Sequence, residues 1–243
     1  MNNLARSADD LASARNNAKT LVEYAYRMIR EDILSAKLKP GSRLRVEHMR
    51  TEYDVGSSTL REALSLLVAD RLVVSVGQRG FRVAPISLAD IQDIMDLRKV
   101  LETRALRESI QLGTDEWEAS VVAAFHRLSK VEERIDGQMT PELVDQWEAC
   151  NNAFHDALIS HSSSPWLLHF RDVLYHQSER YRRMALVDRT VPRDVHQEHA
   201  DIKDAALDRD ADAACRLTEE HIDRTLSVMS NIAALAEDAD ADA

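Results

Sequence analysis

"GSSTLREAL", residues 56–64, sets three hydroxyl side chains and an arginine where a helix begins. Ser57, Ser58 and Thr59 bury little apolar surface, so packing is a poor use of them. At a helix start, hydroxyls cap free backbone N–H groups or face an anion. Leu60, Ala63, Leu64, Leu67 and Val68 recur at helical spacing and define one face of a helix from Ser57 to about Asp70. Ser57, Arg61 and Ser65 stand opposite that face at i, i+4 and i+8, with Ser58 beside them. Two uses stay open for this polar face: a capped surface helix with a solvated arginine, or a surface offered to nucleic acid.

The flanking sequence bears on that choice. Upstream, Leu21, Ala25, Met28, Ile29 and Ile33 mark a helix over Thr20–Lys37, stopped by the Pro40-Gly41 turn, and a short helix follows at Val46–Tyr53. Downstream, "LVVSVGQRGFRVAP" (residues 72–85) alternates around Gly77 and Gly80 and predicts a two-stranded hairpin. Three helices closed by such a hairpin make a winged helix-turn-helix, whose third helix enters the DNA major groove by its N-terminal end. Ser57, Ser58 and the helix-start N–H groups suit phosphate oxygens, and Arg61 is long enough for a bidentate contact with guanine. Gln78, Arg79 and Arg82 surround the wing turn, within reach of the adjacent groove or backbone.

Charge divides the chain at the same place. Residues 1–86 carry 14 Lys/Arg against 10 Asp/Glu, whereas residues 87–243 carry 17 against 32, within a net charge of -11. A nucleic-acid surface is permitted in the first part and discouraged in the second. Cys150 and Cys215 are too few for a disulfide scaffold and fit a reducing compartment. No apolar run reaches the roughly 18–20 residues of a membrane span, and the N-terminal stretch lacks a signal-peptide core. The expectation is a cytoplasmic protein without a membrane contact.

The predicted domains are a flexible arm (1–18), a winged helix-turn-helix (19–86), an all-helical domain (87–235) and an acidic disordered tail (236–243). Six helices are expected beyond Pro85, over 88–111, 115–136, 141–161, 165–184, 194–208 and 210–235, so the fold class is mainly α. Ser87 reads as an N-cap, and Thr140-Pro141 and Ser164-Pro165 are N-cap-plus-proline signatures.

Eight of the nine histidines lie in the acidic part. His155 is four residues after Asn151 in "NNAFHDAL", His199 opens a helix in "HQEHADIKDAAL", and His221 lies on the last helix in "CRLTEEHIDRTL". Imidazoles from three helices converging inside a bundle suit a divalent transition metal with an open position. Ordinary core or surface histidines are the alternative.

"LKPGSRL", "VGSSTLREALSLL" and "DRLVVSVGQRGFRV" resemble the DNA-binding domain of GntR-superfamily transcriptional regulators, over about residues 20–85. The resemblance implies DNA contacts by Ser57, Ser58, Thr59 and Arg61, with Gly80 at the wing tip. It departs at Gly56-Ser57-Ser58-Thr59, where the family usually has Ser-Arg-Thr-Pro, so the usual arginine is absent at Ser57. Residues 88–235 resemble the FCD ligand-binding domain of the FadR subfamily, an all-helical bundle. "FHDAL", "EHADIKDAAL" and "EEHIDRT" match its three histidine motifs. This implies a metal (Zn, Ni or Mn) on His155, His199 and His221, with Asn151 at the family's aspartate position, and a small mono- or dicarboxylate effector.

Arg98, on a helical stripe with Ile91, Met95 and Ala105, is the candidate carboxylate clamp, or else the partner of Glu102 at i+4. "SERYRR" reads as a solvated basic turn, with Arg180, Tyr181 and Arg183 as further pocket candidates in the alternative. Together these imply a homodimeric repressor whose grip on operator DNA responds to the effector. The competing class is a metal-dependent hydrolase on the same histidines. Against it stand the lack of an HExxH run and of a carboxylate evidently placed as general base. An architectural DNA-binding protein would need a stronger basic excess.

Overall fold

A computed structural model describes residue 15 and residues 18–77, 80–135, 140–187 and 193–241, with side chains described to 183 and 230 in the last two stretches. The chain divides into two compact units, Met1–Ile86 and Ser87–Ala243. The expected arm lies outside the described residues except for Arg15, which pairs with Asp54 at 2.8 Å, and Ala18.

The first unit contains α1 (Leu21–Leu34), β1 (Arg43–Leu44), α2 (Val46–Tyr53), α3 (Ser57–Ala69), β2 (Val73–Ser75) and β3 (Phe81–Val83). Thr20 caps α1 by accepting from the Glu23 N–H at 3.0 Å. The helix stops three residues short of the expected Lys37 because Ala36 turns left-handed (φ 58°). Ala25 and Ile29 of α1 and Leu60, Ala63, Leu64 and Leu67 of α3 are fully buried and share one apolar core. Removing such surface from water stabilises the unit by roughly 1.5–3 kcal/mol per large side chain.

The expected hairpin is present as β2 and β3, and β1 extends it to a three-stranded antiparallel sheet of order β1-β3-β2. Arg43 pairs with Arg82 and Leu44 with Phe81 on one side of β3, and Val73 pairs with Val83 on the other. A two-residue strand shows no alternation, so pairing alone reveals it. Gly80 takes φ +89°, a left-handed turn closed by the Val76 N–H bond to the Gly80 carbonyl at 2.8 Å.

The second unit contains α4 (Leu88–Leu112), α5 (Asp115–Glu132), α6 (Pro141–Ile159), α7 (Pro165–Val187), α8 (Val195–Leu207) and α9 (Ala211–Ala241). The N-terminal signatures act as expected. Ser87, Thr140 and Ser164 side chains accept from the N–H groups of Asp90, Leu143 and Leu167, at 3.2, 3.3 and 3.3 Å. α4 packs along α9 and α7, α5 along α6, and α8 along α9, enclosing Trp117, Val121, Leu128, Phe154 and Ile202. Helix α9 continues through 236–241, the stretch expected as a disordered tail. Its alanines favour helix more strongly than its acidic residues oppose it.

Gly113 separates α4 from α5 in extended backbone (φ -62°, ψ 138°). A Cβ there would press on the fully buried Trp117 ring and lie 2.7 Å from the Ser109 carbonyl oxygen. Gly113→Ala is therefore expected to destabilise the second unit by about 1–3 kcal/mol, the usual cost of overpacking. Urea melts of the two proteins check this, and an unchanged midpoint would show that the Trp117 ring yields freely.

Candidate nucleic-acid interface and metal centre

Helix α3 begins with Gly56 as its N-cap, so no side chain caps it. Ser57, Ser58 and Thr59 fall on the first turn, where four N–H groups lack intrahelical partners. Ser58 and Arg61 are exposed, Ser57 and Thr59 half-buried. Ser65 donates to the Arg61 carbonyl at 2.8 Å and leaves the Arg61 guanidinium at the surface. Arg82 is half-buried and donates to the Gly41 carbonyl at 2.9 Å, which ties it to the base of the wing. Gln78 and Arg79 lie outside the described residues.

In the second unit, His155 of α6, His199 of α8 and His221 of α9 converge. One ring nitrogen from each lies within 4.8 Å of the others, and all three side chains are buried. The His199 and His221 rings are 4.8 Å apart, and His155 is 5.4 and 5.3 Å from them. Carboxylates hold two of the rings from behind. His221 Nδ1 is 2.8 Å from Glu198 Oε2, and His199 Nδ1 is 3.2 Å from Glu132 Oε1. A ring that donates from Nδ1 presents a lone pair at Nε2, the ligating form. His199 Nε2 and Asn151 Oδ1 are both buried and without a hydrogen-bond partner. The Asn151 amide donates to the Tyr175 hydroxyl at 2.7 Å, which orients its oxygen.

The electrostatics keep the His155 and His221 rings neutral. Burial, then the neighbouring His221 and His199, hold His155 well below the usual imidazole range. Burial drives His221 down to about 3, despite the opposing bond to Glu198. Burial alone would raise the Glu198 carboxyl, but bonds to Arg193 and His221 outweigh it and keep the group ionised. Arg193 grips both Glu198 oxygens and donates to the His221 carbonyl at 3.0 Å. Three imidazoles and an amide oxygen, with His199 Nε2 and Asn151 Oδ1 orphaned and buried, fit a divalent transition metal.

Beside the histidines, Arg98, Arg171 and Arg182 stack on the Tyr175 ring, with Cζ at 5.0, 4.4 and 3.9 Å from its centroid. Arg98 makes the ion pair with Glu102, Nε to Oε1 at 2.8 Å, and donates to Ser178 at 3.1 Å. Arg182 pairs with Glu148 at 2.9 Å.

The family models then divide the chain where its two units divide. Residues 21–83 match the bacterial regulatory proteins of the gntR family, and residues 93–224 match the FCD domain. The chain belongs to the GntR family of transcriptional regulators. The regulator is 45% identical to the uncharacterized HTH-type transcriptional regulator BphR of Paraburkholderia xenovorans, over 88% of this chain and 86% of that protein. It is 36% identical to the HTH-type transcriptional repressor GlaR of Escherichia coli, over 81% and 90%. Among solved structures it is similar to E. coli McbR/YncC, with TM-score 0.69 and 17% identity over 88% of this chain and 99% of that one. These two relatives are transcriptional regulators rather than enzymes, which speaks for a regulator and against the hydrolase.

Several functional candidates of the regulator escaped the sequence. Glu132 and Glu198 were two acidic residues among many, and carboxylates do touch the histidine cluster, from its outer side. Arg171 carried a legible signal, since it shares a buried face with Leu167, Tyr175, Ser178 and Arg182. "SERYRR" is neither a turn nor solvated. It is helical, with Arg180 and Tyr181 buried and Arg183 paired to Asp145 and Glu179. Among the described residues, no helix is long and apolar enough to cross a membrane.

Proposed function

We propose that this GntR regulator is a cytoplasmic homodimeric repressor whose operator binding is modulated by a small carboxylate held at a metal site in its FCD domain. The observation that carries this reading is the convergence of three buried imidazoles beside the Asn151 amide, with Asn151 Oδ1 and His199 Nε2 left without hydrogen-bond partners. His155, His199 and His221 would hold Zn, Ni or Mn, with Asn151 as the fourth donor. The metal would supply a positively charged anchor for the effector carboxylate. Glu132 and Glu198 fix the ring orientation, and Arg98 lends the wall a buried positive charge. On the DNA side, Ser57, Ser58, Thr59, Arg79 and Gly80 position the backbone and Arg61 reads a base.

A single winged helix reads a half-site, so a dimer follows from operator geometry. Trp166 and Phe170, 69% and 52% exposed, stack on the outer face of α7 and offer an apolar patch for a second copy. Effector control requires the bound carboxylate to favour one arrangement of the DNA-binding units over another. The relative GlaR is itself a repressor.

Gel-shift titrations on DNA upstream of the regulator's own gene test the whole reading. Small carboxylates, screened with and without prior chelation, should change operator affinity only in the metal-loaded protein. An effect of the same size after chelation would remove the metal from the mechanism.

A further inference from the structure

Arg171 is 1% exposed, yet two of its donors have no hydrogen-bond partner: Nε and Nη2, the planar edge that receives a carboxylate in bidentate fashion. Its Nη1 is committed to Asp156 and lies 3.4 Å from Asn152 Oδ1. The nearest carboxylate to the open edge is Glu102, whose Oε1 is 3.7 Å from Nε. That oxygen is already held by Arg98 at 2.8 Å, so it leaves Arg171 outside hydrogen-bond reach. Buried donors without partners are costly, more so when charged, and each calls for an explanation such as a ligand.

The neighbouring carboxylates are committed elsewhere and do not close the open edge. Around the Tyr175 ring lie the buried guanidiniums of Arg98, Arg171 and Arg182; Glu102 is held by Arg98 and Glu148 by Arg182, Glu179 acts on Arg182 and pairs with Arg183, and Asp156, at the rim, has a side chain 49% exposed. Tyr175 also joins this cluster to the metal centre. Its hydroxyl accepts from Asn151, its ring is 6.3 Å from that of His155, and Arg171 lies over its face. The open edge of Arg171 and the orphaned ligands of the histidine site thus meet at one side chain.

We infer that Arg171 is a second anion-binding point, and that the effector carries two carboxylates: one at the histidine-held metal, the other on the Nε–Nη2 edge of Arg171. This rests on the proposed metal–carboxylate site and adds the class of ligand it selects. A monocarboxylate would leave the arginine edge buried and unpaired, which is the strongest form of discrimination a polar site offers.

Calorimetry on the full-length metal-loaded protein tests it, with succinate, glutarate and adipate each set against the monocarboxylate of the same chain length. At least one dicarboxylate should bind about tenfold or more tightly than its partner. Arg171→Met should abolish that advantage while metal content and monocarboxylate affinity stay unchanged. Arg171→Lys, which keeps the charge and loses the planar fork, should restore only part of it and serves where the Met variant folds poorly. A purely structural arginine would shift the melting temperature and leave the ratio of the two affinities alone.

Equal affinities in the wild type, binding of neither class, or an unchanged ratio in the variants would overturn the proposal. Elemental analysis separates its fate from that of the metal. A dicarboxylate preference that depends on Arg171 in metal-free protein leaves Arg171 standing and removes the metal. Bound metal with no such preference does the reverse.

Discussion

His155→Ala is expected to leave the purified regulator without its metal and its operator complex indifferent to carboxylates. The wild type should hold one divalent ion per chain. Each histidine offers one ring nitrogen from a different helix to the proposed site, so losing one would leave two imidazoles and a neutral amide. Loss of an outer-shell carboxylate typically costs about 10–100-fold in metal affinity. Glu198→Gln should fall in that range, and His155→Ala should exceed it. Asn151→Asp runs the other way: the added negative charge should tighten the metal and weaken an anionic effector. Elemental analysis and metal-competition titrations measure the series, with far-UV circular dichroism as the check on folding. Metal content that survives loss of any two of the three histidines would return them to the status of ordinary core residues.

Arg61→Ala is expected to remove specific operator binding and to leave the fold intact. Arg61 is exposed on the polar face of α3, and its loss removes no buried contact. A bidentate arginine–guanine contact discriminates by roughly 1–3 kcal/mol, so two half-sites together lose more than about tenfold in affinity for the operator. Binding to unrelated DNA should change far less, because the proposed phosphate contacts from the hydroxyls and the first-turn N–H groups would remain. Gel-shift titrations on operator and on scrambled DNA read the two effects apart. Unchanged operator affinity would mean that another residue reads the base.

The helices and their beginnings were legible because their causes are local. Apolar spacing marked the inward faces of α1 and α3, and Ser87, Thr140 and Ser164 each cap the helix that their position predicts. The division at residue 86 followed from a change in charge and from Pro85. His155, His199 and His221 could be named as one set because each lies in a helical segment with a definite apolar face. β1 was not legible, since two residues carry no period and owe their extended form to pairing with β3. The fate of 236–241 turned on a contest between alanine propensity and acidic charge that composition left undecided.

By itself, then, the sequence determined the two-unit organisation, the family and the residue types available for DNA and metal, because these depend on local propensity and on motifs contiguous in the chain. Tertiary structure alone decided which atoms of those residues are free. Glu132 and Glu198 come from separate helices to occupy the Nδ1 edges of His199 and His221. Tyr175 takes the Asn151 amide hydrogen and leaves its oxygen unpaired, and Arg98 takes Glu102 and leaves Arg171 with an open edge. Such pairings are set by the distances between side chains far apart in sequence, which neither composition nor periodicity encodes.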